Sequence, residues 1–150
     1  MNFLIEKVRK LKLVGSSQEV QVYLFTKDPS VKDYLVDIRG DDDFYSQRCS
    51  TNLVDDLRFI FLVSKITIVD TPGEIVQNCP DFNIDDASES GLLVGVKLAT
   101  GTKCERCWYY SETVGTEKKD SYDHSCHDVC PRCNDVLMRS SEQTQYGTVE

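Results

Sequence analysis

No apolar run in the 150-residue chain approaches the roughly 20 residues that a membrane-spanning helix needs. Met1 to Lys12 alternates apolar and basic residues but has no small-residue cleavage site, so it reads as an amphipathic helix and not as a signal peptide. The chain is therefore expected to be soluble and intracellular, with no membrane partner. Positive charge is also short: 25 acidic residues against 17 basic ones leave −8, which argues against a protein that grips nucleic acid over its whole surface. The glycines, Gly73 before Glu74 among them, form no phosphate loop. No Ser/His/Asp or Cys/His grouping suggests a nucleophile. No internal repeat of domain size is present.

Cysteine is what the chain has in quantity. Four of its seven cysteines form two CxxC pairs, Cys104/Cys107 and Cys130/Cys133, separated by 22 residues. An odd total with this pairing fits metal ligation in a reducing compartment better than a disulfide framework. Thiolates two residues apart in a tight turn can face one tetrahedral ion, and two such turns close a four-coordinate shell. A shell of four thiolates has no open position for an activated water, so the expected cofactor is one structural Zn2+. A redox CxxC usually sits at a helix start in a βαβ setting and needs no second pair. His124, Cys126 and His127 crowd the second pair and could replace a ligand. The doubled CxRC pattern explains the metal without them, and Cys49 and Cys79 read as ordinary thiols.

Each pair carries an arginine before its second cysteine, Arg106 and Arg132. One reading has them offset the thiolate charge; the other has them reach phosphates. Both readings stay open. Trp108, Tyr109 and Tyr110 follow the first pair. Aromatics beside basic residues can stack on unpaired bases, yet a small zinc module also needs bulk for its core. Trp108 is expected in that core, with Tyr109 or Tyr110 facing outward, since neighbours on a strand point opposite ways. Charge supports a local anionic partner: Lys97 to Lys119 holds five basic residues against three acidic ones.

The rest reads as alternating helix and strand. Leu4, Ile5, Val8 and Leu11 have helical spacing, ended by Gly15-Ser16-Ser17. Glu19 to Phe25 alternates as a strand, with Val20, Val22 and Leu24 on one side. Asp28 and Pro29 start a helix running through Ile38. Asn52 can cap a helix with Asp55 and Asp56 in its first turn and Leu53, Leu57, Ile60 and Phe61 inward. Lys65 to Val69 is a β-branched strand, ended by Asp70, Pro72 and Gly73. Glu74 to Ser90 reads as an acidic connector, and Leu92 to Ala99 as a strand leading into the cysteines. The predicted class is α+β: a small helix/strand unit at 1–75, an acidic linker at 76–91, a zinc-ribbon-like module at 92–139 and a disordered polar tail at 140–150.

The run Gly101-Thr-Lys-Cys-Glu-Arg-Cys-Trp-Tyr-Tyr-Ser-Glu-Thr-Val-Gly115, followed by His124 and Cys130-Pro-Arg-Cys133, resembles the C-terminal zinc finger of bacterial and organellar isoleucyl-tRNA synthetases. That family reads KCxRCW-x-Y, then VG, then a histidine shortly before CxRC. Glu6-Lys-Val-Arg-Lys-Leu-Lys-Leu-Val-Gly-Ser-Ser17 and Asp56-Leu-Arg-Phe-Ile-Phe-Leu-Val-Ser64 are similar to two earlier segments of the same enzymes, in the same order. Two departures stand out: five residues separate His124 from Cys130, a longer stretch than usual, and Tyr109 stands where the family often has His or Asn. The resemblance implies a class I synthetase, whose HIGH-like and KMSKS-like catalytic motifs are not in this chain. It implies that 1–75 is the end of an anticodon-binding region and that the zinc finger helps dock isoleucine tRNA beside the remainder of the synthetase. The parent would work in a cytosol or an organelle. Cys104, Cys107, Cys130 and Cys133 are then the ligands, with Lys103, Arg106, Trp108, Tyr109, Tyr110 and Arg132 as candidate tRNA contacts. Two other classes compete. Formamidopyrimidine-DNA glycosylases end in a related four-cysteine finger, but their N-terminal Pro-Glu has no counterpart in Met1-Asn2-Phe3. A zinc ribbon that meets only protein is the third.

Overall fold

The computed structural model describes residues 2–39, 57–81, 83–86, 91–115, 128–134 and 136–137. The chain divides into two compact units, Met1–Ala99 and Thr100–Glu150. Among the described residues no helix is long and apolar enough to cross a membrane.

The first unit is a four-stranded sheet with helices on both faces. Helix α1 spans Asn2–Lys10, a 3₁₀ turn Ser17–Glu19, strand β1 Val20–Thr26 and helix α2 Pro29–Arg39. Then come α3 (Leu57–Phe61), β2 (Lys65–Ile68), α4 (Pro72–Asn78), β3 (Asn83–Asp86) and β4 (Leu92–Leu98). The strand order is β2-β1-β4-β3. β1 lies parallel to β2, with Val22 opposite Ile66, and antiparallel to β4 over the whole stretch from Val20↔Leu98 to Thr26↔Leu92. β3 runs antiparallel to β4 at the far edge.

Alternation along the central strands feeds two cores. On one face Val20, Val22, Leu24, Ile66, Val94 and Val96 meet Leu4, Ile5 and Val8 of α1 and Leu57 of α3. On the other, Leu93 packs with Val69, Ile75 and Cys79, joined by the partly buried Tyr23 and Phe25. β1 is thus covered on both sides, which explains why Gln21 and Thr26 are buried as well.

The strand at 92–98 was grouped above with the cysteine module. Its seven-residue pairing with β1 instead makes it a central strand of the first unit. The stretch expected as a connector also holds structure. Thr71 and Glu74 start α4: the Glu74 carboxylate accepts the Thr71 N–H at 3.0 Å and the Thr71 hydroxyl at 2.8 Å. Pro72 then occupies the first helical turn, where its missing N–H costs nothing. Pro72-Gly73 therefore opens a helix and does not merely end a strand. Ile60, expected inward, is 53% exposed, whereas Leu57 is buried. The proposed cap at Asn52 and the tail at 140–150 lie outside the described residues. Asp28 caps α2 as expected, its carboxylate accepting the Ser30 N–H at 2.9 Å.

Helix α1 ends before the expected glycine. Lys12 takes a left-handed backbone (φ 58°), its N–H reaches the Arg9 carbonyl at 2.9 Å and the Leu13 N–H reaches the Val8 carbonyl at 3.3 Å. This is a Schellman termination with lysine where glycine is usual. Leu62 (φ 55°) ends α3 in the same way, the Val63 N–H bonding the Arg58 carbonyl at 3.0 Å. A side chain in this region crowds its own carbonyl. Lys12→Gly should therefore stabilise the first unit by about 0.5–1 kcal/mol, after the entropy of the freer unfolded chain. Urea denaturation checks this, and a fall in midpoint would contradict it.

Candidate metal centre and its aromatic rim

A short hairpin presents the first cysteine pair. Strands β5 (Thr102–Lys103) and β6 (Tyr110–Ser111) pair antiparallel, Lys103 opposite Tyr110. Between them the chain folds back on itself: the Cys104 N–H bonds the Tyr109 carbonyl at 2.9 Å and the Trp108 N–H bonds the Cys104 carbonyl at 2.9 Å. Gly101 makes the approach possible. Its φ is +90°, and a Cβ there would sit 2.5 Å from the Ser111 carbonyl, too close for any side chain. The second pair opens a helical turn at 131–134, closed by an Asn134 N–H bond to the Cys130 carbonyl at 3.0 Å.

These two turns bring four sulfurs together. The Sγ atoms of Cys104, Cys107, Cys130 and Cys133 all lie within 4.8 Å of one another, and Cys107 Sγ stands 3.7 Å from Cys130 Sγ. A tetrahedron with metal–sulfur bonds of about 2.3 Å has edges of about 3.8 Å, so that pair already sits at the coordination spacing. All-sulfur tetrahedral geometry suits a soft or borderline ion. The donor set fits one metal ion with a closed shell. The thiols also form the interior of the module: Cys104, Cys130 and Cys133 are buried, with Cys107, Val114 and Val129 packed around them.

Burial disfavours the thiolates of Cys104, Cys107 and Cys130, and hydrogen bonds set them apart. At Cys104, burial acts upward, but backbone N–H groups of Cys107, Cys130 and Arg106 reach its sulfur and bring the pKa down to about 6. Burial pushes Cys107 up to about 11 against one such bond from Tyr109. Burial carries Cys130 above the ordinary thiol range. A metal ion held here would bind the thiols as thiolates, so its binding would release protons. Cys79, in the first unit, is 2% exposed, and burial raises it to about 11, so it packs as an apolar group.

The expectation for Trp108 is overturned. Trp108, expected in the core, is 60% exposed and adopts φ 67°; Tyr109 and Tyr110 are half-buried. The reason is that sulfur, and not aromatic bulk, fills the interior. The Lys103 ammonium lies 5.8 Å from the centroid of the Trp108 ring, within cation–π range. Arg106 is exposed yet donates to Cys133 Sγ at 3.6 Å. Arg132 is half-buried. The cross-link from Arg106 to the other pair was not visible in the spacing, which pointed only to a guanidinium near some thiolate. His124, Cys126, His127 and Cys49 lie outside the described residues, as do Lys118 and Lys119 of the basic stretch.

Fold and site together define an α+β protein whose four clustered cysteines can hold a metal ion. No protein-family model matches the chain. By sequence the chain corresponds to one region of the isoleucine–tRNA ligases. It is 35% identical to the isoleucine–tRNA ligase of Gloeothece citriformis over 91% of its own length and 33% identical to that of Acaryochloris marina over 100%. It is 29% identical over 99% to the chloroplastic/mitochondrial isoleucine–tRNA ligase of Arabidopsis thaliana. The chain spans only 12–14% of the length of these relatives.

Proposed function

We propose that this chain is the tRNA-binding C-terminal portion of an isoleucine–tRNA ligase, in which residues 1–75 end the anticodon-binding region. Its four thiolates hold one structural Zn2+. Its role is to dock isoleucine tRNA while the remainder of the synthetase, in a cytosol or an organelle, carries out aminoacylation. The observation that carries this reading is identity of 33–35% to isoleucine–tRNA ligases along 91–100% of the chain, the cysteine module included. The chemistry of the module's rim supports it. An exposed tryptophan ring beside Lys103, with the exposed Arg106 two positions earlier in the chain, offers a stacking surface and cations for phosphates. Tyr109, Tyr110 and Arg132 complete the proposed contact set. Zinc is favoured over other ions because a closed four-thiolate shell in a reducing compartment suits an ion without redox chemistry.

Trp108 is the sole tryptophan, so its fluorescence reports on this surface directly. Titration of the zinc-loaded chain with isoleucine tRNA should quench it, with log K falling linearly in log salt, and more weakly for duplex DNA. Trp108→Ala should cost about 1–3 kcal/mol of binding. Equal affinity for isoleucine tRNA, other tRNAs and duplex DNA would overturn the reading, and no binding at all would favour a module that meets only protein.

A further inference from the structure

The four sulfurs are served by different donors, and the pattern crosses between the two cysteine turns. The Cys130 N–H of the second turn donates to Cys104 Sγ of the first at 3.3 Å. In return the Arg106 guanidinium of the first turn donates to Cys133 Sγ of the second at 3.6 Å. A third link, from the Glu105 N–H to the Asp128 carbonyl at 2.8 Å, lies beside them. Arg106 therefore does not fold back onto Cys107, its neighbour in sequence. It spans to a ligand 27 residues away.

We propose that Arg106 is a positioning residue of the metal centre, its guanidinium latching the first cysteine turn to the Cys133 thiolate and offsetting part of the site's negative charge. The charge argument is direct. Four thiolates around one divalent ion leave a net −2, and a charge-assisted N–H···S bond answers it where the backbone cannot bring a full charge. Geometry adds a second argument. A planar guanidinium on a side chain anchored between Glu105 and Cys107 fixes where Cys133 can stand, as outer-shell donors fix metal ligands elsewhere. This assigns the arginine of the first CxRC a task besides any contact with nucleic acid. It depends on the metal site alone, so it stands or falls separately from the tRNA reading.

The test uses the full chain and three variants, Arg106→Gln, Arg106→Lys and Lys103→Gln. Zinc affinity is read by competition with a chromogenic chelator, and Co2+ at saturating concentration reads the sulfur environment. Arg106→Gln should weaken zinc binding by about 10–100-fold, and Arg106→Lys should recover part of that loss. Lys103→Gln removes one positive charge beside Cys104 without touching a sulfur and should change affinity by no more than about twofold, as an exposed charge does. The thiolate-to-cobalt charge-transfer band of Arg106→Gln should move to lower energy, because a sulfur that has lost a hydrogen bond gives up its electron more readily. A merely structural defect would not shift that band in the saturated, folded protein. Wild-type affinity with an unmoved cobalt band in Arg106→Gln would overturn the proposal. So would an equal loss in Lys103→Gln, which would reduce the effect to charge alone.

Discussion

Removing the metal with a chelator is expected to unfold the second unit while leaving the sheet of the first intact. Among the described residues of the second unit the buried side chains are the cysteines of the site, Cys104, Cys130 and Cys133. Among the same residues Trp108 is 60% exposed, and Val136 and Leu137 are exposed too. This described part has little apolar area to remove from water, and a two-stranded ribbon of two residues per strand is not stable alone. A structural metal contributes about 10–16 kcal/mol to units of this kind, far more than any other single interaction here. Amide hydrogen exchange separates the outcomes. With chelator, the Cys104, Glu105 and Trp108 amides should exchange freely, while those of β1 and β4 stay protected. Cys133→Ser should behave as the chelated protein does. Protection at Cys104 and Trp108 that survives metal removal would mean the hairpin folds on its own hydrogen bonds.

The second large effect concerns the contact between α4 and the sheet. Gly95 lies on β4 directly beneath this helix, and a Cβ placed there would stand 2.6 Å from Ile75 Cγ2 and 2.9 Å from Cys79 Sγ. Glycine is needed at this site for space, since its backbone is ordinary extended strand. Gly95→Ala should destabilise by about 1–3 kcal/mol through overpacking. Ile75 is fully buried, and Ile75→Ala should cost about 2–5 kcal/mol through the cavity it leaves. The two changes answer one another in space, because the cavity receives the added methyl. The double variant should therefore be more stable than the sum of the singles by at least about 0.5 kcal/mol. Urea midpoints of the four proteins decide it, and strict additivity would show that α4 simply shifts away from the strand.

The cysteine site was readable from spacing because its chemistry is local: two residues between thiols in each turn determine how sulfurs can converge. The helices and strands at α1, β1, α2, β2 and β4 were readable from periodicity for the same reason. What escaped was of two kinds. Local signals were outweighed by a competing rule, as at Thr71-Pro72-Gly73-Glu74, where proline and glycine suggested a stop but threonine and glutamate form a cap. The acidic Asn83–Asp86 likewise argues against a strand on propensity, yet its backbone pairs with β4. The other kind was long-range. Nothing within Leu92–Leu98 says that its partner is Val20–Thr26 and not the adjacent cysteine hairpin. Trp108 falls in this second group, since its exposure depends on which atoms fill the module's interior.

The pairing of β1 with β4 also sets the order in which the first unit can be made. Val20 and Leu98 face one another across the sheet but leave the ribosome almost the whole unit apart. Until Leu98 has cleared the exit tunnel, β1 has one edge unpaired, and the apolar row Val20, Val22 and Leu24 lacks Val94 and Val96 to pack against. Closing so long a loop is slow, because its entropy must be surrendered before the contacts form. The sheet of the first unit is therefore complete only once its strand β4 has been made.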